Sequence, residues 1–274
     1  MAIDDCYRAD GLSARHNNKE ILKLYEQYPF DKGRYKPNKW LEEVLKWFPP
    51  RSHRWFQATF PEPAQWFRSR LNYIRTAAVW SMVGHIMGLG DRHGENILLD
   101  TGTGDVVHVD FSCLFDKGLT LARPEMTPFR LTQNVIDAMG VTGFEGVFRS
   151  TCEATLRVLR RHRETYLSMA ETFVHDPFVD WVKEGAFFTL IAASWSFLFF
   201  PLFADGSSTA GEAENPGAID ALNTLNGRLI GTLIGINSAP SLPLSVEGQV
   251  QRLLDEASTL ENLGQMYIWW MPWY

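Results

Sequence analysis

Three polar residues stand at a spacing that can carry chemistry: Asp91, Asn96 and Asp110. They lie in the stretch Gly88–Phe111. It reads Gly-Leu-Gly-Asp-Arg-His-Gly-Glu-Asn-Ile-Leu-Leu-Asp, then Thr-Gly-Thr-Gly, then Asp-Val-Val-His-Val-Asp-Phe. Two short apolar runs, Ile97–Leu99 and Val106–Val109, flank a loop carrying Gly102 and Gly104, which is a hairpin pattern. Such a hairpin draws Asp91 and Asn96, before its first strand, toward Asp110 at the end of its second. Phosphoryl transfer uses this set. One carboxylate orients the attacking hydroxyl and takes its proton, while an amide oxygen and a second carboxylate hold Mg²⁺ against nucleotide phosphates.

The Asp-x-x-x-x-Asn spacing, followed by a strand ending in Asp-Phe, matches the catalytic and metal loops of protein kinases. The order differs from the ordinary kinase: His-Arg-Asp is replaced by Gly-Asp-Arg-His, with His93 two places after Asp91. A lone Asp-Arg-His is also a surface turn. Two Gly-rich loops with Asp, Asn and Asp correctly spaced are harder to reach by chance. With Val109-Asp110-Phe111 and Pro128-Phe129-Arg130-Leu131-Thr132, the chain resembles the phosphatidylinositol 3-kinase-related protein kinases. Within that family it is most similar to the ATR type. Its end, Leu242-Pro-Leu-Ser-Val-Glu-Gly-Gln with Gln265-Met266-Tyr267 and a run of aromatics, resembles the family's FATC motif. The resemblance covers Trp47–Trp181 and Leu242–Tyr274.

The resemblance implies an ATP-dependent serine/threonine kinase of DNA-damage and replication-stress signalling, nuclear, with Mg²⁺ (or Mn²⁺) as cofactor. It assigns Asp91 as base, puts His93 beside the γ-phosphate or the attacking oxygen, and makes Asn96 and Asp110 metal ligands. Bare chemistry agrees for Asp91, Asn96 and Asp110, whereas a loop His such as His93 is as often structural. Leu98, two places past Asn96, should point from the strand toward the adenine, though an ordinary core role fits equally. Protein substrates with Ser or Thr before Gln, and an accessory subunit that recruits the kinase, are likewise family implications. The FATC motif is expected to dock near the activation loop and to be needed for activity.

The elements that must position these residues can be read around them. Ala64–Met87 has Phe67, Leu71, Ile74, Ala78, Met82 and Ile86 at helical spacing, with Gly88 and Gly90 to end it in a left-handed cap. Trp40–Phe48 is amphipathic and stopped by Pro49-Pro50. Trp55-Phe56 and Phe60-Pro61-Glu62-Pro63 read as an aromatic connector that packs in the core. Further helices are expected over Leu131–Met139, Phe148–Arg163, Glu164–Phe173 and Ala218–Ile234. Val246–Ala257 should be a last helix, N-capped by Ser245 with Glu247 in its first turn. The fold class is mainly α (α+β): a kinase C-lobe carrying one small hairpin.

Before Asp91 there are ninety residues, with no Gly-x-Gly-x-x-Gly and no Lys in a Val/Ile-rich strand. The expectation is a C-lobe without its N-lobe, in which these residues alone are barely competent or serve only to bind partners. The segments follow as 1–39, polar and weakly patterned with one short amphipathic stretch at Glu20–Tyr28; 40–181, the C-lobe, with its catalytic loop at 88–96 and metal and activation loops at 109–132; 182–241, an apolar segment plus linker; and 242–274, FATC.

Ala186–Ala204 is nineteen residues without a charge, long enough for a membrane span, but Pro201 interrupts it and Ser194, Trp195 and Ser196 sit mid-way. A translated intron, a buried or partner-binding helix and a span all remain open readings. Membrane association is otherwise not expected.

Net charge is −6 over 274 residues, which disfavours direct nucleic-acid binding. The run Arg157, Arg160, Arg161, His162 and Arg163 reads as a solvated helix face. Three widely spaced Cys, with no Cys-x-x-Cys, argue for a reducing compartment and against zinc. Met1–Asp10 has no signal-peptide core. The loop Ser112–Arg130 carries mixed charge: Asp116, Lys117, Arg123, Glu125 and Arg130. A lipid kinase of the same superfamily would need clustered cations there to hold an inositol phosphate, so the mixture favours a protein substrate.

Overall fold

A 25-residue helix, α2 (Pro63–Met87), is the scaffold on which the candidate site is built. The computed structural model describes residues 3, 49–174, 216–232, 242–266 and 270. The expected helices at Glu20–Tyr28 and Trp40–Phe48, the apolar stretch Ala186–Ala204 and most of the aromatic tail lie outside them.

Pro63 starts α2 at a position where its missing N–H costs nothing, and Gly88 ends it in the left-handed region at φ 61°. The buried stripe begins later than the periodicity suggests. Tyr73, Ala77, Ala78, Met82 and Ile86 are buried, but Phe67 is 51% exposed and Leu71 only half-buried. Spacing identifies a stripe; only the neighbours decide which turns are covered. The first part of the aromatic connector, Trp55-Phe56, lies in a helix, α1 (Ser52–Thr59), and Phe60 caps its end. Its Trp55 and Phe56 pack edge-on at 4.8 Å, and Phe56 meets Tyr73 of α2 at 5.1 Å. Tyr73 is fully buried, and its hydroxyl donates to the Val135 carbonyl at 3.0 Å, so the one polar atom of the cluster is satisfied.

Strands β1 (Ile97–Leu99) and β2 (Val106–His108) pair antiparallel with Leu98 opposite Val107. The Asp100 N–H extends the ladder to the Asp105 carbonyl at 2.9 Å, leaving Thr101–Gly104 as the loop. Helix α2 grips this hairpin at three points. Trp80 Nε1 donates to the Val106 carbonyl at 3.0 Å, Thr76 Oγ1 accepts the Val106 N–H at 2.9 Å, and Asn72 Nδ2 donates to the Thr103 carbonyl at 3.1 Å. A Cβ on Gly104 would stand 2.6 Å from the Ser69 carbonyl oxygen, so the loop tip lies directly on the helix.

A 3₁₀ turn (Lys117–Thr120) precedes α3 (Gln133–Met139), which starts two residues later than expected, and α4 (Val147–Arg161) follows. Helix α7 (Val246–Ser258) is capped by Ser245, whose Oγ accepts the Gly248 N–H at 3.0 Å, and buries Val250, Leu253, Leu254 and Ala257. A short helix not foreseen, α8 (Leu260–Gln265), follows it. These elements, up to Val158 and from Leu244 onward, form one compact unit. Within it Arg157 of α4 pairs with Glu247 of α7 at 2.5 Å, on exposed side chains that contribute little to stability. The second unit, 159–243, contains α5 (Arg163–Val174) packed on α6 (Pro216–Ile230). The expected architecture, mainly helical with one small hairpin, is the one observed.

Candidate active site

The loop from Gly88 to Asn96 is tied to the segment after β2 by hydrogen bonds that use the backbone of both. Asn96 is buried; its N–H donates to the His93 carbonyl at 3.0 Å and its carbonyl accepts the Val109 N–H at 3.0 Å. Its side-chain Nδ2 donates to the Asp91 carbonyl at 2.8 Å, which closes the loop on itself. With Nδ2 committed, the amide oxygen is the atom left to bind a cation. His93 accepts the Glu95 N–H at Nδ1 (3.2 Å), and that bond puts a neutral ring's proton on Nε2, which stands 3.9 Å from Asp91 Oδ2.

Arg92, 3% exposed, is the internal clamp. Its guanidinium donates to the carbonyls of Gly90 (2.9 Å), Val109 (2.8 Å) and Asp110. One side chain thus bridges the backbones of the Asp91 loop and the segment after β2, which fixes the separation of Asp91 and Asp110 without using either carboxylate. Burial lowers its pKa, opposed by the nearby Asp91, Asp110 and Glu125 charges.

Asp91 and Asp110 both have left-handed backbones, φ 58° and 60°. Such values are uncommon outside glycine and are held here by neighbours on both sides. The Ser112 hydroxyl, followed by its backbone N–H on Oδ1 at 3.0 Å, holds the Asp110 carboxyl below the usual range. The group is exposed and ionised at neutral pH. An ionised carboxylate and an amide oxygen are hard donors of the kind Mg²⁺ takes alongside substrate phosphates, so Asp110 and Asn96 fit that ion. Among the described residues there is no cluster of three or more His, Cys, Asp or Glu suited to a metal.

Leu98 is half-buried between buried Ile97 and Leu99, so it lies on the opposite face of β1 beside Val107, which is 44% exposed. An apolar surface on that face suits a flat ring. His108 stacks on Trp80 at 4.8 Å, nearly parallel, and Phe111 stacks on the same indole at 6.0 Å. Burial and the Arg92 charge push His108 down to about 3, so it is neutral.

The structure therefore brings Asp91, His93 and Asn96 into one loop and ties Asp110 to it through Arg92. Sequence reasoning missed three residues. In sequence Arg92 is only one member of the Gly-Asp-Arg-His motif. Glu125, noted as one charge in a loop, accepts the Asp91 N–H at 2.9 Å. Arg130, counted as a loop cation, is buried and bound to backbone carbonyls. No local pattern marks either contact, because the partners lie 34 to 140 positions apart.

A helical lobe in which one long helix carries one small hairpin is the kinase-type C-lobe, and the chain belongs to the phosphatidylinositol 3- and 4-kinase family, whose sequence pattern matches residues 11–183. A FATC domain matches residues 243–274. The chain is 51% identical over 273 residues to serine/threonine-protein kinase ATR of Oryza sativa subsp. indica and 50% identical to that of Arabidopsis thaliana, with 99% of this chain covered in each case. It is 43% identical over 233 residues, 85% of this chain, to protein kinase rad3 of Schizosaccharomyces pombe. It spans 9% of the length of each of these relatives. Its fold matches the solved FAT and kinase domain of CtTel1 with a TM-score of 0.75 at 30% identity, over 100% of this chain and 17% of that one. The complete CtTel1 dimer with C2 symmetry matches with the same score and identity, over 9% of its chain. Among the described residues, no helix is long and apolar enough to cross a membrane.

Proposed function

We propose that this chain supplies the catalytic loop, metal loop and FATC tail of a serine/threonine protein kinase that transfers the ATP γ-phosphate to protein hydroxyls in DNA-damage and replication-stress signalling. The observation that carries the reading is the Arg92 clamp, which holds the Asp91 loop and the Asp110 loop at one fixed spacing. In-line transfer requires its base and its metal ligand to keep such a spacing.

Asp91 accepts the proton of the attacking hydroxyl. His93, whose Nε2 stands 3.9 Å from Asp91 Oδ2, steadies that carboxylate or the γ-phosphate. Asn96 and Asp110 hold Mg²⁺, which neutralises phosphate charge when bound; Mn²⁺ has the same donor preference. Leu98 lines the adenine site. The working divisions are 40–181 for the C-lobe, 182–241 for the apolar segment and linker, and 242–274 for FATC.

A protein rather than a lipid substrate is supported by the state of one loop cation. Arg130 spends its guanidinium on the Arg92 and Trp270 carbonyls, so it does not serve a phosphorylated headgroup. The relatives' names point the same way. By resemblance the substrate is Ser or Thr before Gln, recruitment runs through an accessory subunit, and the setting is the nucleus. A net charge of −6 suits a kinase that reaches DNA through such a subunit.

The test is calorimetric titration of the chain with Mg-ATP, beside Asp110→Ala. Binding by the first and loss in the second is the expected result. No binding by a chain that melts cooperatively would overturn the nucleotide reading for these residues and leave a docking role.

A further inference from the structure

The turn that presents Asp91 is held from outside its own loop. Glu125 lies 34 positions downstream, after the 3₁₀ turn, and its Oε1 accepts the Asp91 N–H at 2.9 Å. That N–H belongs to a residue at φ 58°, a conformation an aspartate keeps only where its surroundings over-determine it.

The second carboxylate oxygen is enclosed by two glycines. A Cβ on Gly90 would stand 2.5 Å from Glu125 Oε2 and 3.0 Å from Cys113 Sγ, and one on Gly118 would come closer still to Oε2. Neither glycine has a positive φ. Their lack of a side chain is explained by the room the carboxylate needs, not by backbone freedom. The box is closed by backbone bonds: Gly90 N–H to the Cys113 carbonyl at 2.8 Å and Glu125 N–H to the Gly118 carbonyl at 3.1 Å. Thus the second Gly of Gly-Leu-Gly-Asp serves Glu125, whereas the first serves the helix cap.

We propose that Glu125 is a positioning residue for Asp91: its carboxyl group holds the Asp91 N–H and thereby fixes the left-handed turn that aims the Asp91 carboxylate at the substrate hydroxyl. This rests on the reading of Asp91 as the base. Asp91, Arg92 and the Cys113 thiol are the charged and titratable groups that face Glu125. Burial raises its carboxyl to about 7, with the Asp91 charge adding to the rise and the Asp91 N–H and Arg92 opposing it. The hold therefore changes its charge near neutral pH, and the Asp91 amide reports that change directly.

The experiment uses the 274-residue chain, Glu125→Ala, Glu125→Gln and Gly90→Ala. Two quantities are read: the pH dependence of the Asp91 amide proton shift, and turnover of a Ser-containing peptide with Mg-ATP. In the wild type the amide shift should follow a titration near pH 7, and this step should vanish in Glu125→Gln. Glu125→Ala should lower kcat by about 10- to 100-fold with KM for ATP within about twofold. Glu125→Gln, which keeps a carbonyl oxygen for the N–H, should restore most of kcat. Gly90→Ala, which displaces the carboxyl group, should behave as Glu125→Ala.

An Asp91 amide that does not titrate in the wild type overturns the proposal, as does equal kcat in all four proteins. A titrating amide beside an Asp91→Asn variant that turns over peptide as fast as the wild type overturns the base assignment and with it the catalytic consequence, while the hold itself stands. The two failures are thus told apart.

Discussion

Arg130 donates from Nη2 to the carbonyl of Trp270, 140 positions away, at 2.9 Å, and its guanidinium lies over the Trp270 ring at 5.2 Å. Its Nη1 reaches the Arg92 carbonyl, next to Asp91, at 3.2 Å. One buried side chain therefore joins the C-terminal tail to the loop that carries Asp91. Met266 adds a second tail contact, its sulfur accepting the Met126 N–H at 3.3 Å.

Arg130→Ala should destabilise the chain by about 2–4 kcal/mol, since it strips charged donors from two carbonyls and leaves the ring face uncovered. Trp270→Ala should cost less, because it removes only the ring face and leaves the backbone carbonyl at that position for Arg130 Nη2. A double-mutant cycle in urea should return a coupling of about 1 kcal/mol or more. Additive losses would mean that the Arg130 guanidinium and the Trp270 ring do not stabilise one another.

Asp91 and Asp110 should separate in nucleotide assays. Asp91→Asn should keep Mg-ATP affinity and lose turnover by about 10²–10⁴, the range general-base removal produces. Asp110→Asn should lose Mg²⁺-dependent nucleotide binding itself. Titration calorimetry beside steady-state rates distinguishes the two.

Two half-buried groups give stability opposite dependences on pH. The Glu125 carboxyl is raised from 4.5 to about 7, so between those values the folded chain holds a proton the unfolded chain has released, and stability falls as pH rises through that window. His108 is lowered from 6.5 to about 3, so between those values the unfolded chain holds the extra proton, and stability rises with pH. The two partly cancel between pH 4.5 and 6.5, and above 6.5 only the Glu125 effect remains. Urea midpoints from pH 4.5 to 8 should show Glu125→Gln gaining on the wild type as pH rises, by about 1.4 kcal/mol per pH unit at most. A constant difference would mean that the carboxyl is not desolvated enough to raise its pKa.

Gly88→Ala should cost about 2 kcal/mol. The residue sits at φ 61°, and its new Cβ would meet the Asp116 backbone nitrogen at 2.6 Å, which cannot swing aside. A urea midpoint unchanged from wild type would show that the cap has relaxed.

Ser245→Ala removes the cap of α7 and should cost about 1 kcal/mol, with Ser245→Asp close to neutral because it keeps an acceptor for the Gly248 N–H.

What the sequence determined by itself was everything carried by near neighbours. The hairpin follows from two apolar runs around a Gly-rich loop, the end of α2 from Gly88, the cap of α7 from Ser245, and the set Asp91, Asn96 and Asp110 from spacing. Each depends on groups within about one or two turns of chain, where residue type restricts φ, ψ and hydrogen-bond partners. What the tertiary structure alone decided is which side chains hold that set in place. Arg92 could have been solvated, Glu125 could have faced water, and Arg130 could have bound a phosphate, since their types permit all of these. Burial removed the choice. A guanidinium or carboxyl group taken out of water must find partners, and the partners available were carbonyls and an N–H brought near by folding, as many as 140 positions away. The same logic exposed Phe67 while burying Tyr73 on a single helix. Periodicity assigns a face, but coverage belongs to whatever packs against it.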